Sequence, residues 1–559
     1  MIDHRVDYQR NRALSGPLIG WLGVVIAAAL FYVFYTGLFC SDDTRYLVGV
    51  KKIVDGQHID LGSIAERRLI FLLPSAFFYY ASGQQLGAAI AVYGLFYVLL
   101  PALVCWGFRK YMGFWAGIVG LLIALTPLLY VNAGSILPDI ISAFVVMLSA
   151  VFTLELLLRR EFSIPARSAV LVLTGALAAT GVSLKESNAV IAVLPFVLVL
   201  CCRISRRNLR AGFIDCLIML CGSVSFFLIE SVLYKVFAGS WHSSLMNRAA
   251  DHGFARFIET QGLYPWSRFR FLAGTFDYWT LGLFAVALGS VAYYLCSLVL
   301  RRQFKTSSYV WLVAVTFYAW PLVYFTVGTS RFDQYMPPVI QARYFAPCAP
   351  FAALLVGLLL RELFDDISGR SRYFLIALIL VVMGSGIYFS YPGRAIQYWA
   401  RAKDALLVGI SDVRRLGVDG VVLGGGAVNS EVDRCYRHVL QDEFPLVSRS
   451  GVDALPKPPF ALFGATLAGL KARDTALASE IAANVESRNW KLALVGYYYV
   501  DETGGSDIWW LPRERAIVAE EEAGSAAFRS SVVPVGNQPW MKREMHAEVF
   551  LVTDAEDDK

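Results

Sequence analysis

The chain predicts a mainly α polytopic membrane protein with a small C-terminal α/β domain. Three observations predict it. Of 559 residues, 57% are hydrophobic and 17% charged, with a mean hydropathy of +0.53. A soluble domain carries roughly 25% charged residues. Long apolar runs recur from residue 17 to residue 391, and a membrane helix needs about 20 such residues. Composition then changes: residues 400–559 hold 18 Lys and Arg against 24 Asp and Glu, and residues 1–399 hold 32 against 20.

The apolar runs are 17–40, 85–107, 113–132, 139–158, 168–184, 188–202, 212–236, 277–300, 308–328, 345–361 and 373–391, which predicts 11 spans. The first is about twice as long as a signal-peptide core and ends in Asp-Asp, so it reads as a retained helix. Loops on one side are short and basic. They carry Arg5, Arg10 and Arg12; Arg109 and Lys110; Arg159, Arg160 and Arg167; Arg203, Arg206, Arg207 and Arg210; Arg301, Arg302 and Lys305; Arg361, Arg370 and Arg372. The positive-inside rule makes this the cytoplasmic side, with the N-terminus inside. An odd count puts the tail from about residue 392 outside. The opposite loops, 41–84, 133–138, 185–187, 237–276 and 329–344, are mostly longer and mixed in charge. The basic surplus therefore reads as topology and not as nucleic-acid binding.

Residues 69–82 are apolar but too short to span. They read as a helix lying in the outer interface. A spanning helix there would invert every later loop. Eight of the nine cysteines lie in or beside apolar runs, where Cys behaves as a small hydrophobe. Only Cys435 lies in the tail, which excludes a disulfide within it, and no C-x-x-C pattern occurs.

The chain thus divides into 1–391, with outer loops 41–84 and 237–276, and 392–559. In the tail, 420–423, 490–500 and 549–553 read as strands. Residues 429–441 and 474–488 read as helices capped by Asn429 and Asp474. Gly424-Gly425-Gly426 lacks phosphate-loop spacing and reads as a tight turn.

The topology gathers charges at one depth. Asp42 and Asp43 follow the first span. Asp139 follows Leu137-Pro138 and starts the fourth. Lys185 and Glu186 occupy the turn between the fifth and sixth, and Arg343-Tyr344 precedes the tenth. Adjacent carboxylates repel, and one is pushed toward the protonated form unless a cation or an acceptor proton needs it. Charges at a membrane boundary tend to mark substrate paths. The plain alternatives are a solvated helix cap for Asp42 and Asp43, a dipole charge for Asp139 and interfacial snorkelling for the cations. Glu186 is expected to pair with Lys185. His58, His242 and His252 share no ligand spacing and read as loop histidines. The aromatic loop from Trp241 to Trp266 reads as a lid over the donor, as an acceptor contact or as an interface-packed segment.

Ser41-Asp42-Asp43-Thr44-Arg45-Tyr46, Leu137-Pro138-Asp139, Leu184-Lys185-Glu186-Ser187 and Gln341-Ala342-Arg343-Tyr344, in that order, resemble motifs of the type C (GT-C) membrane glycosyltransferases. The likeness is to the branch of protein O-mannosyltransferases and lipid A aminoarabinose transferases, and it covers roughly 17–391. It implies a polyprenyl-phosphate sugar donor, an acceptor that is a lipid, glycan or protein of the envelope, and chemistry on the outer face of the plasma membrane. It implies Asp42 or Asp43 as base, Asp42 being preferred, with Asp139 as a second carboxylate. Lys185, Arg343 and Arg45 would bind the donor phosphate. Glu186, Tyr344 and Tyr46 would orient substrate. Either no cofactor is required, or Asp42 and Asp43 hold a divalent cation. Some relatives have Asp-Glu in place of Asp42-Asp43, which leaves the base and the metal open. The tail resembles no family. Two rivals remain: a transporter or flippase of a lipid-linked sugar, and a binding tail anchored by inert helices. No inverted halves are visible to support the first. So many helices exceed what an anchor needs.

Overall fold

The computed structural model describes residues 3–33, 35, 42–159, 163–246, 264–301, 306–329 and 337–366, and in the tail 420–423, 460–464, 490–501, 506–510, 517–518 and 543–554. The chain divides into two compact units, residues 1–37 with 45–393, and residues 38–44 with 394–559.

The first unit is helical. Its opening helices are α1 (Asp3–Val33), α2 (Asp42–Val54), α3 (Leu69–Ala81), α4 (Leu86–Met112), α5 (Phe114–Ala124), α6 (Pro127–Ala133), α7 (Pro138–Leu158), α8 (Ile164–Leu184), α9 (Ala189–Ala192), α10 (Leu194–Ser205) and α11 (Leu209–Ala238). Helices Pro265–Thr275, Tyr278–Arg301, Thr306–Val327 and Ala349–Asp366 follow. Among the described residues, eight helices are long and apolar enough to cross a membrane, and nine if the bent pair α5–α6 is one span. The chain is a multi-pass membrane protein. The apolar part of α1, Leu18–Val33, is shorter than those eight, and the predicted span 373–391 lies outside the described residues.

Glycine and proline punctuate the helices as their chemistry requires. α4 ends at Gly113, whose φ of 57° a side chain would disfavour. Pro127 opens α6 and Pro138 opens α7, where a missing N–H costs nothing. The same missing donor at Pro127 releases α5 from α6, and the two bend by 58°. Thus the predicted span 113–132 is not one straight helix. The run 188–202 belongs to a longer apolar stretch, 186–205, stepped at Leu194-Pro195.

α8 and α11 cross closely. Gly175 faces the Met219 backbone, Gly222 faces the Val172 backbone, and Ser223 Oγ donates to Gly175 O at 2.8 Å. Small residues let two membrane helices approach so near. The other face of α11 exposes Leu217, Leu220, Leu228, Val232 and Val236, as a lipid-facing surface does.

Polar side chains hold both ends of this bundle. At one end Asp215 of α11 takes Arg167 of α8 at 2.7 Å and Arg203 of α10 at 2.8 Å. At the other, Lys185 at the end of α8 pairs with Asp139 at the start of α7. The predicted interfacial segment is α3. It is seated on α4 by Ser75 Oγ, which donates to Ala89 O at 2.9 Å and lies 2.6 Å from the Tyr93 hydroxyl.

The second unit holds a six-stranded sheet: β1 (Gly420–Leu423), β2 (Phe460–Gly464), β3 (Trp490–Asp501), β4 (Ser506–Trp510), β5 (Ile517–Val518) and β6 (Arg543–Asp554). Its order is β1-β2-β6-β3-β4, with β5 also on β3. β1 and β2 run parallel and the other pairs antiparallel. The three strands expected from the sequence are β1, β3 and β6. The other three are too short to show alternation. The predicted helices at 429–441 and 474–488 and the glycine turn lie outside the described residues.

Candidate active site

The site is built from the first turn of α7 upward. Pro138 fixes the N-terminus of α7 and places Asp139 in its first turn, where the helix dipole favours a carboxylate. Asp139 is completely buried. Its Oδ1 accepts from Lys185 Nζ, and its Oδ2 has no hydrogen-bond partner among the described residues. A buried carboxylate oxygen is costly to leave unpaired, so Oδ2 stands ready for a donor.

Lys185 caps the end of α8 and is 5% exposed. Burial pulls its pKa down to about 8. The Asp139 charge opposes that pull, and Arg343 and Arg68 add to it. The ammonium also lies 3.8 Å from the centre of the Tyr344 ring, a close cation–π contact. Tyr344 belongs to the 3-10 turn Ala342–Cys348, beside Arg343. The Arg343 guanidinium is 5.9 Å from the same ring, and its Nε donates to Gln341 Oε1 at 2.9 Å.

A third cation, Arg68, completes the group. It donates to the Tyr46 hydroxyl and reaches Glu186 Oε2 at 2.7 Å. Tyr46 in turn meets Phe71 edge-on at 4.8 Å. Glu186 therefore pairs with Arg68 and not with Lys185, contrary to the expectation from adjacency. The reason is local: Lys185 is extended, with φ −161° and ψ 125°, and successive side chains of extended backbone point apart. The loop carrying Arg68 is itself clamped. Glu66 accepts Lys52 Nζ at 2.8 Å and the Asp60 N–H at 2.6 Å.

The structure thus brings together Asp139, Lys185, Glu186, Arg343, Tyr344 and Tyr46, and adds Arg68. Sequence reasoning missed Arg68. The signal was present: Arg67-Arg68 is an arginine doublet in loop 41–84, which the charge map assigns to the side where the positive-inside rule expects few. Arg45 is exposed and joins no ion pair among the described residues. Asp42 and Asp43 open α2. Asp43 is fully buried and accepts the Thr44 N–H at 2.9 Å, and Asp42 is half-buried.

Among the described residues, no three His, Cys, Asp or Glu side chains gather into a metal-holding set. His58 Nδ1 lies 3.3 Å from Phe237 O, and the His242 ring packs on Tyr234. His252 and most of the loop from Trp241 to Trp266 lie outside the described residues.

Chemically, the cluster offers two cations beside the Tyr344 ring, a third held by Tyr46 and Glu186, and one open carboxylate oxygen. That is a site for an anion next to a hydroxyl.

No family model and no curated protein matches this chain. Solved structures resemble it loosely. ArnT from Cupriavidus metallidurans in the apo state is 19% identical over 75% of this chain and 74% of that one, with a TM-score of 0.43. The same protein bound to undecaprenyl phosphate is 18% identical over 75% of each, with a TM-score of 0.42. The Archaeoglobus fulgidus oligosaccharyltransferase complexed with zinc and sulfate is 15% identical over 87% and 72%, with a TM-score of 0.45. These likenesses are too loose to assign a role to any residue here.

Proposed function

We propose that this protein is a membrane glycosyltransferase that moves a hexosyl or pentosyl group from a polyprenyl-phosphate donor to an envelope lipid, glycan or protein. The single observation that carries the reading is the grouping of buried Lys185 and half-buried Arg343 at Tyr344 with half-buried Arg68 at Tyr46, next to the open oxygen of Asp139. A lipid phosphate is a leaving group that needs cations. Arg meets phosphate with a bidentate fork and Lys as a point charge.

In the proposed reaction a carboxylate takes the proton of the acceptor hydroxyl. The acceptor oxygen bonds to the anomeric carbon as the bond from that carbon to the phosphate oxygen breaks. The electron pair leaves with the polyprenyl phosphate, which the three cations hold. Asp42 is the base of choice. It stands one turn before Tyr46 on α2, the i, i+4 spacing that puts two side chains on one helix face. Asp43 tunes it. Asp139 Oδ1 holds Lys185 while Oδ2 orients a substrate hydroxyl. Glu186 and Tyr46 fix Arg68. Arg45, being exposed, serves the approach of the donor.

The remainder of the proposal is topological. The reading takes eleven spans, with the N-terminus in the cytoplasm and the site and residues 392–559, a small α/β domain, outside a bacterial plasma membrane. The support is the short basic loops on one side and the site charges on the other.

Mass spectrometry of envelope glycans with and without the gene tests the reading, with one glycan species expected to lose a sugar. A vesicle assay separates the flippase: movement of the lipid-linked sugar without transfer contradicts the proposal.

A further inference from the structure

Arg268 lies on the helix Pro265–Thr275 and is 1% exposed. One guanidinium nitrogen donates to Phe325 O at 2.8 Å and to Pro338 O. These carbonyls belong to different segments. Phe325 lies near the end of the helix Thr306–Val327, and Pro338 lies just before Gln341–Tyr344. The segments meet again through their rings: Phe325 is 6.0 Å from Tyr344 and 5.1 Å from Phe345. Phe345 also packs edge-on against Phe276, just past the helix that carries Arg268. Tyr344 then supports Lys185 from below.

We propose that Arg268 is a positioning residue that, by tying Phe325 O to Pro338 O, holds Tyr344 under the Lys185 ammonium. The assignment deepens the glycosyltransferase reading and rests on it for its consequence in sugar transfer. A planar guanidinium presents fixed donors, so two backbone segments bonded to it lose their freedom to slide. The Tyr344 ring is then set by Phe325 on one side and Lys185 on the other. A cation–π contact decays once the ring leaves the cation, so a small slip of either segment weakens it.

The experiment reads Lys185 itself. The full chain in detergent is treated with acetic anhydride across a pH series, and acetylation of Lys185 is followed by mass spectrometry. Only the neutral amine reacts, so the midpoint reports its proton. The groups that face Lys185 are Asp139, Arg343, Arg68, Glu186 and Tyr344, and none of them is altered in Arg268→Gln. Loss of the ring favours the neutral amine. Arg268→Gln is therefore expected to lower the midpoint by about one pH unit, the worth of a desolvated cation–π contact. Tyr344→Leu is expected to lower it equally, and the double variant no further. An unmoved midpoint in Arg268→Gln overturns the proposal. Should that variant fail to fold, Phe325→Leu leaves the guanidinium intact and removes the ring against Tyr344. A lowered midpoint supports the proposal and an unmoved one overturns it. The readout needs no sugar transfer, so a chain inactive as a transferase still answers it.

Discussion

Lys185 donates to Asp139 and, with the same nitrogen, stands 3.8 Å above the centre of the Tyr344 ring. Two residues 46 apart in sequence, at the start of α7 and the end of α8, are joined by one buried ammonium, with a third segment supplying the ring. The charge persists there because the carboxylate and the ring repay part of its lost hydration. It is nonetheless held loosely, since Arg343 and Arg68 repel it.

That balance sets a pH dependence. Lys185 is charged below about 8 and neutral above it. If the charge holds the donor phosphate, kcat/KM falls as pH rises through about 8. A bound phosphate stabilises the ammonium, so kcat breaks at a higher pH than kcat/KM, because the two profiles report the bound and the free enzyme. Lys185→Arg keeps its charge throughout and is expected to lose the break. A pH–rate series on both proteins checks this. A break near 8 that survives in Lys185→Arg assigns it to another group.

Removal of one member of a buried ion pair is costlier than removal of both. Asp139→Leu leaves the Lys185 ammonium buried without its carboxylate and is expected to cost about 3–5 kcal/mol. The double variant Asp139→Leu with Lys185→Met replaces the pair by apolar groups. It is expected to regain most of that stability and none of the activity. Thermal unfolding in detergent, beside a transfer assay, measures the divergence. A double variant as unstable as Asp139→Leu contradicts the pairing.

Arg68 and Arg45 give opposite expectations. Arg68 lies inside the cation group, and a charge-assisted hydrogen bond is worth about 1.5–3 kcal/mol, which is roughly tenfold to a hundredfold in affinity. Arg68→Ala is expected to raise the KM for the donor by that factor. Arg45 is exposed, and Arg45→Ala is expected to change KM by no more than about threefold, as surface charges do. Donor titrations of the two variants test the contrast. Equal effects would remove Arg68 from its assigned place.

The sequence made much of this legible, for reasons that can be located. Apolar length marked the helices, and Pro138 with Asp139 announced the start of α7 because both have fixed positions at helix N-termini. Loop charge placed Lys185, Asp139 and Arg343 at one end, and the structure brings Lys185 to Asp139 and Arg343 beside the same Tyr344 ring. The pairing of Glu186 was misread, because adjacency in sequence says nothing about the direction of side chains in extended backbone. Arg68 was passed over because it reads as a flank of an apolar helix, and only the folded loop turns it toward Tyr46. The bend at Pro127 was missed as well, since hydropathy averages across a proline.

The most direct test is transfer of a labelled sugar from a polyprenyl-phosphate donor by membranes carrying the wild-type chain, Asp42→Asn, Asp43→Asn or both. A general base contributes about a hundredfold to ten-thousandfold. The account predicts a loss of that size in Asp42→Asn and in the double variant, with expression and membrane insertion unchanged. Full activity in both single variants and in the double variant would contradict it.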